Sequence, residues 1–272
     1  VYSGYVDALN ANASGGVLYS IPDVTSVPFF TTVPRDAVPL DAQTAGFLNA
    51  QFQAYNQQIL PGLAQFGIIT AAEVAQRQIN FQAGQNFVTL TDESLTDISQ
   101  IIQAPPFNLD PQTAALLGQL RQATNADLIP LSASGDIGNA LDDQGTLITG
   151  VSVPLGDESV LTVNEQMLIN NARNSYNATI QGLAQANGLA FVDVNALLQR
   201  SQSGIPFDGG IINSTFVTGG AFSLDGVHLT PRGYALLANE TIQAINQTYG
   251  STLPTVNLGD FRTIATSDNT NL

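Results

Sequence analysis

The sequence predicts an α/β fold built on a parallel sheet, and two segments carry this prediction. Residues Val17–Ile21 form a five-residue run rich in apolar side chains that Pro22 stops, which is typical of a strand buried in a parallel sheet. Near the other end of the chain, a helical pattern ends at Gly188 and the apolar run 189–194 follows at once. A helix, a glycine and a buried strand in this order form the second half of a crossover between parallel strands.

Two long helices are predicted beside this sheet. Thr162 and Glu165 form a capping-box pattern that opens the first helix. Thr230 as N-cap and Pro231 at the first helical position open the last helix, which reaches about Tyr249. Each helix carries an apolar stripe of the kind that faces a core. The stripes are Leu168, Ala172, Tyr176, Ile180 and Leu183 in the first helix, and Tyr234, Leu237, Ala238, Ile242 and Ile245 in the last.

Residues from about 36 to 160 are predicted to form a mainly helical insertion within a single domain. Capping residues and apolar spacing indicate several short helices, and Gly- and Asp-rich turns separate short strands. The predicted helices cover 41–63, a segment from Thr70, 91–102 and a segment from Asp110–Pro111. The predicted strands cover 128–131, 147–153 and 159–161.

Composition limits the possible functions. A chain of 272 residues can bury a substantial core, and its 22 acidic and 7 basic residues give a net charge of −15. This charge argues against binding to nucleic acid or to an anionic membrane surface. The absence of cysteine excludes disulfides and cysteine-based metal sites. The chain begins with Val and shows no signal-peptide pattern, so we expect a processed form or a fragment.

The only histidine of the chain, His228, lies in the loop that leads into the last helix. Asp225 precedes it by three residues, and Gly226 allows a tight turn between them. A carboxylate so close can bind one imidazole nitrogen, fix the tautomer and stabilise the imidazolium, which leaves the other nitrogen as a general base. Short motifs also arise by chance, so the residues alone leave open a surface histidine paired with a turn aspartate.

The sequence around this pair, DGVHLTPRGYALLAN at 225–239, closely resembles the last sequence block of the SGNH/GDSL hydrolases. Residues 188–198 resemble the strand and helix that precede this block in the family. Residues 16–34 resemble the strand and proline-rich loop that follow the family's third block. With its long insertion, the chain is similar to the secreted and outer-membrane lipoprotein members of Bacteroidetes type.

This resemblance implies a flavodoxin-like three-layer α/β/α fold with a parallel sheet, to which the chain contributes the later strands. It also implies a serine hydrolase that acts on carboxylic esters or acyl groups, as esterases and lipases do. Asp225 would orient His228, and His228 would activate the serine that attacks the carbonyl carbon. No cofactor and no metal are expected. The implied location is extracytoplasmic, either secreted or at the outer membrane or cell surface.

The chain departs from the family in its first three blocks. The GDSL-like serine turn, the second-block glycine and the third-block G-x-N-D have no counterpart and would lie before Val1. Residues 1–272 are therefore predicted to be the C-terminal portion of a single SGNH-hydrolase domain. Strand 17–21 would then have an open edge, which associates readily with other strands. We expect a second chain or fragment to complete the sheet and to supply the serine.

Other candidate residues are weaker. Ser159, in Gly156–Leu161, resembles GDSL with an inserted Glu, but it precedes a short strand instead of following a buried one. Ser134 is expected in a turn. The acidic residues lack the spacing of a calcium loop, so a solvated face is predicted at Asp136, Asp142, Asp143, Asp157 and Glu158. The alternative function is a catalytically inactive SGNH-like binding or structural subunit of a cell-surface complex.

Overall fold

Residues 1–143 and 145–264 are described by a computed structural model. They form two units. The first, which we call the sheet unit, comprises residues 1–32 and the chain from 167 onward. The second, which we call the inserted unit, comprises residues 33–166. The predicted insertion at about 36–160 lies within the inserted unit.

The helices and strands alternate irregularly along the described chain. The helices are α1 (Tyr2–Asn10), α2 (Pro28–Thr31), α3 (Ala42–Gln51), α4 (Leu60–Gln65), α5 (Ala71–Arg77), α6 (Ser99–Ile102), α7 (Pro111–Leu117), α8 (Val163–Ala186), α9 (Val194–Ser203) and α10 (Pro231–Tyr249). The strands are β1 (Val17–Tyr19), β2 (Val38–Leu40), β3 (Gly84–Asn86), β4 (Thr89–Thr91), β5 (Leu120–Gln122), β6 (Ala190–Val192), β7 (Ile205–Phe207) and β8 (Gly210–Ile212).

The sheet unit contains one parallel pair of strands. β1 pairs with β6 in the register Val17 to Ala190 and Tyr19 to Val192. The prediction of a mixed α/β chain is therefore confirmed, since helices accompany parallel and antiparallel strand pairs. Both strands are shorter than predicted, and Tyr19 is exposed rather than buried. β7 and β8 form an antiparallel hairpin in the same unit.

Local capping fixes the ends of the two long helices as predicted. The Thr162 amide donates to Glu165 Oε2 at 2.7 Å, which closes the capping box at the start of α8. Thr230 Oγ1 accepts from the Gly233 amide at 3.1 Å at the start of α10. α10 ends at Tyr249, and its C-cap Gly250 has a φ of 66°, in the left-handed region that favours glycine.

The predicted apolar stripes of α8 and α10 are only half buried, which corrects the sequence analysis. Leu168 and Tyr176 of α8 are 71% and 58% exposed, and Tyr234 of α10 is 52% exposed. α10 instead buries Gly233, Ala235 and Leu236. The parallel sheet beside these helices has two strands in the described chain, so it is too narrow to cover both stripes.

Antiparallel pairs and short helices build the inserted unit. β2 pairs with β3 and β4 with β5, around a core that includes Leu60, Ile79 and Ile129. Thr70 and Asp110 cap α5 and α7 as predicted, because each side chain accepts from backbone amides of the first turn.

The predicted helix 41–63 is confirmed in outline, because α3, a π-helical turn at Tyr55–Ile59 and α4 cover most of it. Two other predictions in the inserted unit are wrong. The predicted helix 91–102 is reduced to α6, since residue 91 ends β4, which pairs with β5, and residues 92–98 form a turn and a loop. The predicted strands 128–131, 147–153 and 159–161 form isolated bridges only. In each case long-range pairing or packing overrides the local pattern.

Candidate functional site

The loop between Phe222 and Leu229 carries the predicted site, and backbone hydrogen bonds fix its shape. Phe222 and Leu229 form an antiparallel bridge, and the Ser223 amide donates to the His228 carbonyl at 2.8 Å. Thr230, which caps α10, anchors the end of the loop, since its hydroxyl donates to the Gly220 carbonyl at 2.6 Å. The helix start and the loop are therefore one hydrogen-bonded structure.

The Asp225 carboxylate organises this loop. Its Oδ1 accepts hydrogen bonds from Ser223 Oγ at 2.6 Å and from the amides of Val227 and His228 at 2.9 Å each. Its Oδ2 lies 2.6 Å from His228 Nδ1. The hydrogen bond from Ser223, followed by those from Val227 and His228, holds the pKa of Asp225 well below its usual range. The carboxylate is therefore ionised at neutral pH.

His228 presents its second ring nitrogen to solvent. Its side chain is 72% exposed, and within residues 1–143 and 145–264 no group hydrogen-bonds Nε2. The ionised carboxylate at Nδ1 favours the tautomer in which Nδ1 carries the proton. Nε2 then has a free lone pair, which is the arrangement that a general base needs.

Ser223 belongs to this site and was missed in the sequence analysis. Its hydroxyl fixes the Asp225 carboxylate so that Oδ2 faces the imidazole. The only signal was its position two residues before an aspartate in a turn, where Ser and Asp side chains commonly bond nearby groups. That pattern is too frequent to single out a site.

The loop docks on the segment that follows β1. The Phe29 amide donates to the Gly226 carbonyl at 3.0 Å. Ser20, just after β1, donates from its hydroxyl to Asp193 at the end of β6, at 3.2 Å. The Asp225–His228 pair thus lies beside the chain that leaves the carboxyl ends of the parallel strands. In open α/β sheets, ligands bind at this edge.

Gly226 is required for this docking. Its φ is +70°, and a Cβ there would lie 2.6 Å from the Phe29 amide nitrogen. We expect Gly226→Ala to cost at least about 1–2 kcal/mol from the left-handed backbone alone, and to move the loop from Phe29. Chemical denaturation and the NMR signal of the single imidazole measure both effects.

Gly182→Ala is the matched control for Gly226→Ala. Gly182 lies inside α8, and a Cβ at this position would have open space around it, with no neighbouring atom within 4 Å. Alanine there should stabilise the protein by about 0.5–1 kcal/mol, because it restricts the unfolded chain. Equal stability of the two variants would contradict the role given to Gly226.

One edge of β1 pairs with no strand of the described chain. The Ser20 amide donates to the Val192 carbonyl and the Ala190 amide to the Gly16 carbonyl, each at 3.0 Å. Because strand residues alternate, the main-chain groups of Val17 and Tyr19 point to the opposite edge. There the described part of the chain contributes no paired strand.

The other serines singled out in the sequence do not join the pair. Ser159 ends a short 3₁₀ turn, Asp157–Ser159, and Ser134 Oγ donates to the Leu131 carbonyl at 2.8 Å. The described residues contain no group of three or more His, Asp or Glu side chains placed to hold a metal ion. Of the helices described, none is both long and apolar enough to cross a membrane.

Comparisons of the chain with models of protein families, with characterised proteins and with solved structures find no match.

Proposed function

We propose that this chain supplies the acid–base residues of an SGNH-type serine hydrolase that acts on carboxylic esters or acyl groups. The observation that carries the proposal is the Asp225–His228 pair, with Oδ2 and Nδ1 2.6 Å apart and with Nε2 bonded to no group of the described chain. The resemblance of residues 225–239 to the last SGNH block supports the same assignment.

In the proposed reaction, His228 Nε2 takes the proton of a serine hydroxyl while its oxygen attacks the ester carbonyl carbon. The imidazolium returns that proton to the leaving alcohol oxygen as the carbon–oxygen bond breaks. A water molecule then attacks the carbonyl carbon of the acyl-serine and gives a proton to Nε2. That proton passes to the serine oxygen as the acyl–serine bond breaks, which releases the acid. Asp225 stays ionised throughout and stabilises the imidazolium.

A flavodoxin-like three-layer α/β/α fold is part of this proposal. Parallel pairing of β1 with β6 supports it. Leu18 packs in the apolar cluster that contains Ala184 of α8, whereas Tyr19 hydrogen-bonds Thr241 of α10. Neighbouring strand residues face opposite sides of a sheet, so these two contacts support a helix on each face.

A second chain or fragment is proposed to complete the sheet at β1 and to supply the serine. The open main-chain groups of Val17 and Tyr19 support this, because a two-stranded sheet is marginally stable and parallel sheets are normally buried. The exposed apolar side chains of Leu168, Tyr176 and Tyr234 would be covered by a wider sheet unit.

An extracytoplasmic location, secreted or at the outer membrane or cell surface, also belongs to the proposal. It is supported by the resemblance to the SGNH proteins of Bacteroidetes type. The acidic, cysteine-free composition is compatible with export.

Fluorophosphonate labelling of the complete protein, in which this chain is held with the polypeptide that pairs with β1, tests the proposal. The probe reacts with activated serines, so we expect one adduct on a serine outside residues 1–272. Peptide mass spectrometry locates it, and His228→Ala should abolish it. An adduct on a serine of this chain would contradict the external nucleophile.

The second candidate function is a catalytically inactive SGNH-like binding or structural subunit of a cell-surface complex. It is favoured by one observation: no serine of the described chain hydrogen-bonds His228 Nε2. The labelling experiment separates the two functions. An intact complex that forms no adduct while His228 is exposed contradicts the hydrolase and supports the binding subunit.

A further inference from the structure

An apolar cavity of about 140 Å³ lies in the sheet unit against the loop that carries His228. Side chains from α9, α10, the loop itself and the segment after β1 line it. They include Val27, Val194, Leu198, Phe222, Val227 and Leu236. Val227 is 47% exposed, so the cavity reaches the surface beside the site.

The cavity offers almost no polar partner. Ser201 contributes the only hydroxyl among the lining residues, and its Oγ donates to the Leu198 carbonyl at 2.7 Å. A water molecule needs two to four polar partners, whereas an apolar cavity of roughly 150 Å³ stays dry and binds benzene. The cavity is therefore suited to an apolar group of about six carbon atoms.

The position of the cavity indicates which part of an ester substrate it could bind in the proposed reaction. Val227 and Leu229, the neighbours of His228, line the cavity, but His228 does not. The leaving alcohol must lie beside the imidazole, because its oxygen takes the proton from Nε2. The acyl group lies on the other side of the carbonyl carbon and does not need the imidazole.

We infer that this cavity binds the acyl chain of the substrate and selects short apolar chains of about six carbons. This inference rests on the proposed hydrolase. The apolar lining supplies the affinity, since each buried methylene strengthens binding about fourfold. Chains longer than the cavity gain nothing more from it.

Direct binding to the full chain tests the cavity without any catalysis. Butanamide, hexanamide and decanamide are neutral acyl mimics, and methyl NMR follows Val194, Leu198 and Leu236. We expect hexanamide to shift these methyl signals and to bind about 16-fold more tightly than butanamide, with no further gain for decanamide. Unshifted signals at saturating hexanamide would overturn the inference.

A matched pair of variants locates the site. Ser201→Leu fills the cavity and should weaken hexanamide binding at least tenfold, whereas Ser201→Ala keeps it open and should change binding less than twofold. Val194→Phe fills it from another side if Ser201→Leu fails to fold, as thermal unfolding will show. Unchanged binding in a folded filling variant would also overturn the inference.

Activity then separates this inference from the proposed function. In the complete protein, kcat/KM for nitrophenyl esters should rise with acyl length up to about six carbons and then level off, and Ser201→Leu should remove this rise beyond acetate. If hexanamide binds but no fluorophosphonate adduct forms, the hydrolase is overturned. The cavity would then bind apolar ligands, but it would not be an acyl site. Hydrolysis with an unchanged chain-length profile in Ser201→Leu would overturn the acyl assignment alone.

Discussion

Replacing His228 by Ala in the complete protein should lower kcat/KM for ester hydrolysis by at least about 10⁴-fold. In the proposed hydrolase, His228 is the group that takes the serine proton, since it is the single histidine and no group of the described chain hydrogen-bonds its Nε2. Initial rates with p-nitrophenyl acetate measure the effect.

Asp225→Asn should lower kcat/KM for the same ester by about 10⁴-fold, because an amide at Nδ1 no longer fixes the tautomer of His228.

Stability provides the control for these two activity losses. The His228 side chain is 72% exposed, so His228→Ala should leave the thermal unfolding temperature of the protein unchanged. A folded His228→Ala protein with activity within tenfold of the wild type would show that another group is the base. Activity that fell only because the protein unfolded would be equally visible in the thermal scan.

The largest effect on stability is expected at Asp127 in the inserted unit. Its carboxylate is fully buried and accepts from Arg121 Nη1 and Nη2 at 2.8 and 2.7 Å. It also accepts from the amide and hydroxyl of Thr124. Asp127→Ala leaves the buried Arg121 with Asp92 as its only carboxylate partner in the described chain. We expect a loss of about 3–5 kcal/mol in the free energy of unfolding, measured by urea denaturation.

An exposed aspartate serves as the comparison. Asp143 is exposed and also lies in the inserted unit, so Asp143→Ala should change the free energy of unfolding by less than about 0.5 kcal/mol. Similar losses in the two variants would contradict the special role of the buried ion pair.

The pH dependence of unfolding checks the same ion pair independently. Burial raises the pKa of Asp127. The hydrogen bonds and charge of Arg121, together with the hydrogen bonds from Thr124, lower it by more, so the pKa is lowered overall. The stabilisation is thus fully present above the unfolded-state pKa of about 3.9, and is lost as pH falls through the folded-state pKa. Wild type should lose stability below about pH 4 more steeply than Asp127→Ala. If the free energy of unfolding depended on pH in the same way in both proteins, the role given to the Asp127 carboxylate would be contradicted.

Interactions between residues close in sequence were determined by the sequence alone. The caps at Thr162 and Thr230 and the contact between Asp225 and His228 span three residues, so their geometry depends on local backbone conformation. For the same reason, the helices that follow these caps begin where the sequence predicts. The catalytic role of the Asp225–His228 pair stays a prediction, as does the serine that it would serve.

The tertiary structure decided what depends on distant partners. Residues 91–102 have a helical pattern, but Thr91 is the last residue of β4 and pairs with β5. The stripes of α8 and α10 predict burial, but exposure depends on the width of the sheet beside them. The docking of Gly226 on Phe29 joins positions far apart in the sequence, as does the cavity beside Val227. A local pattern specifies which surfaces can be buried. Which segment covers each surface is determined only by the packing of the whole fold.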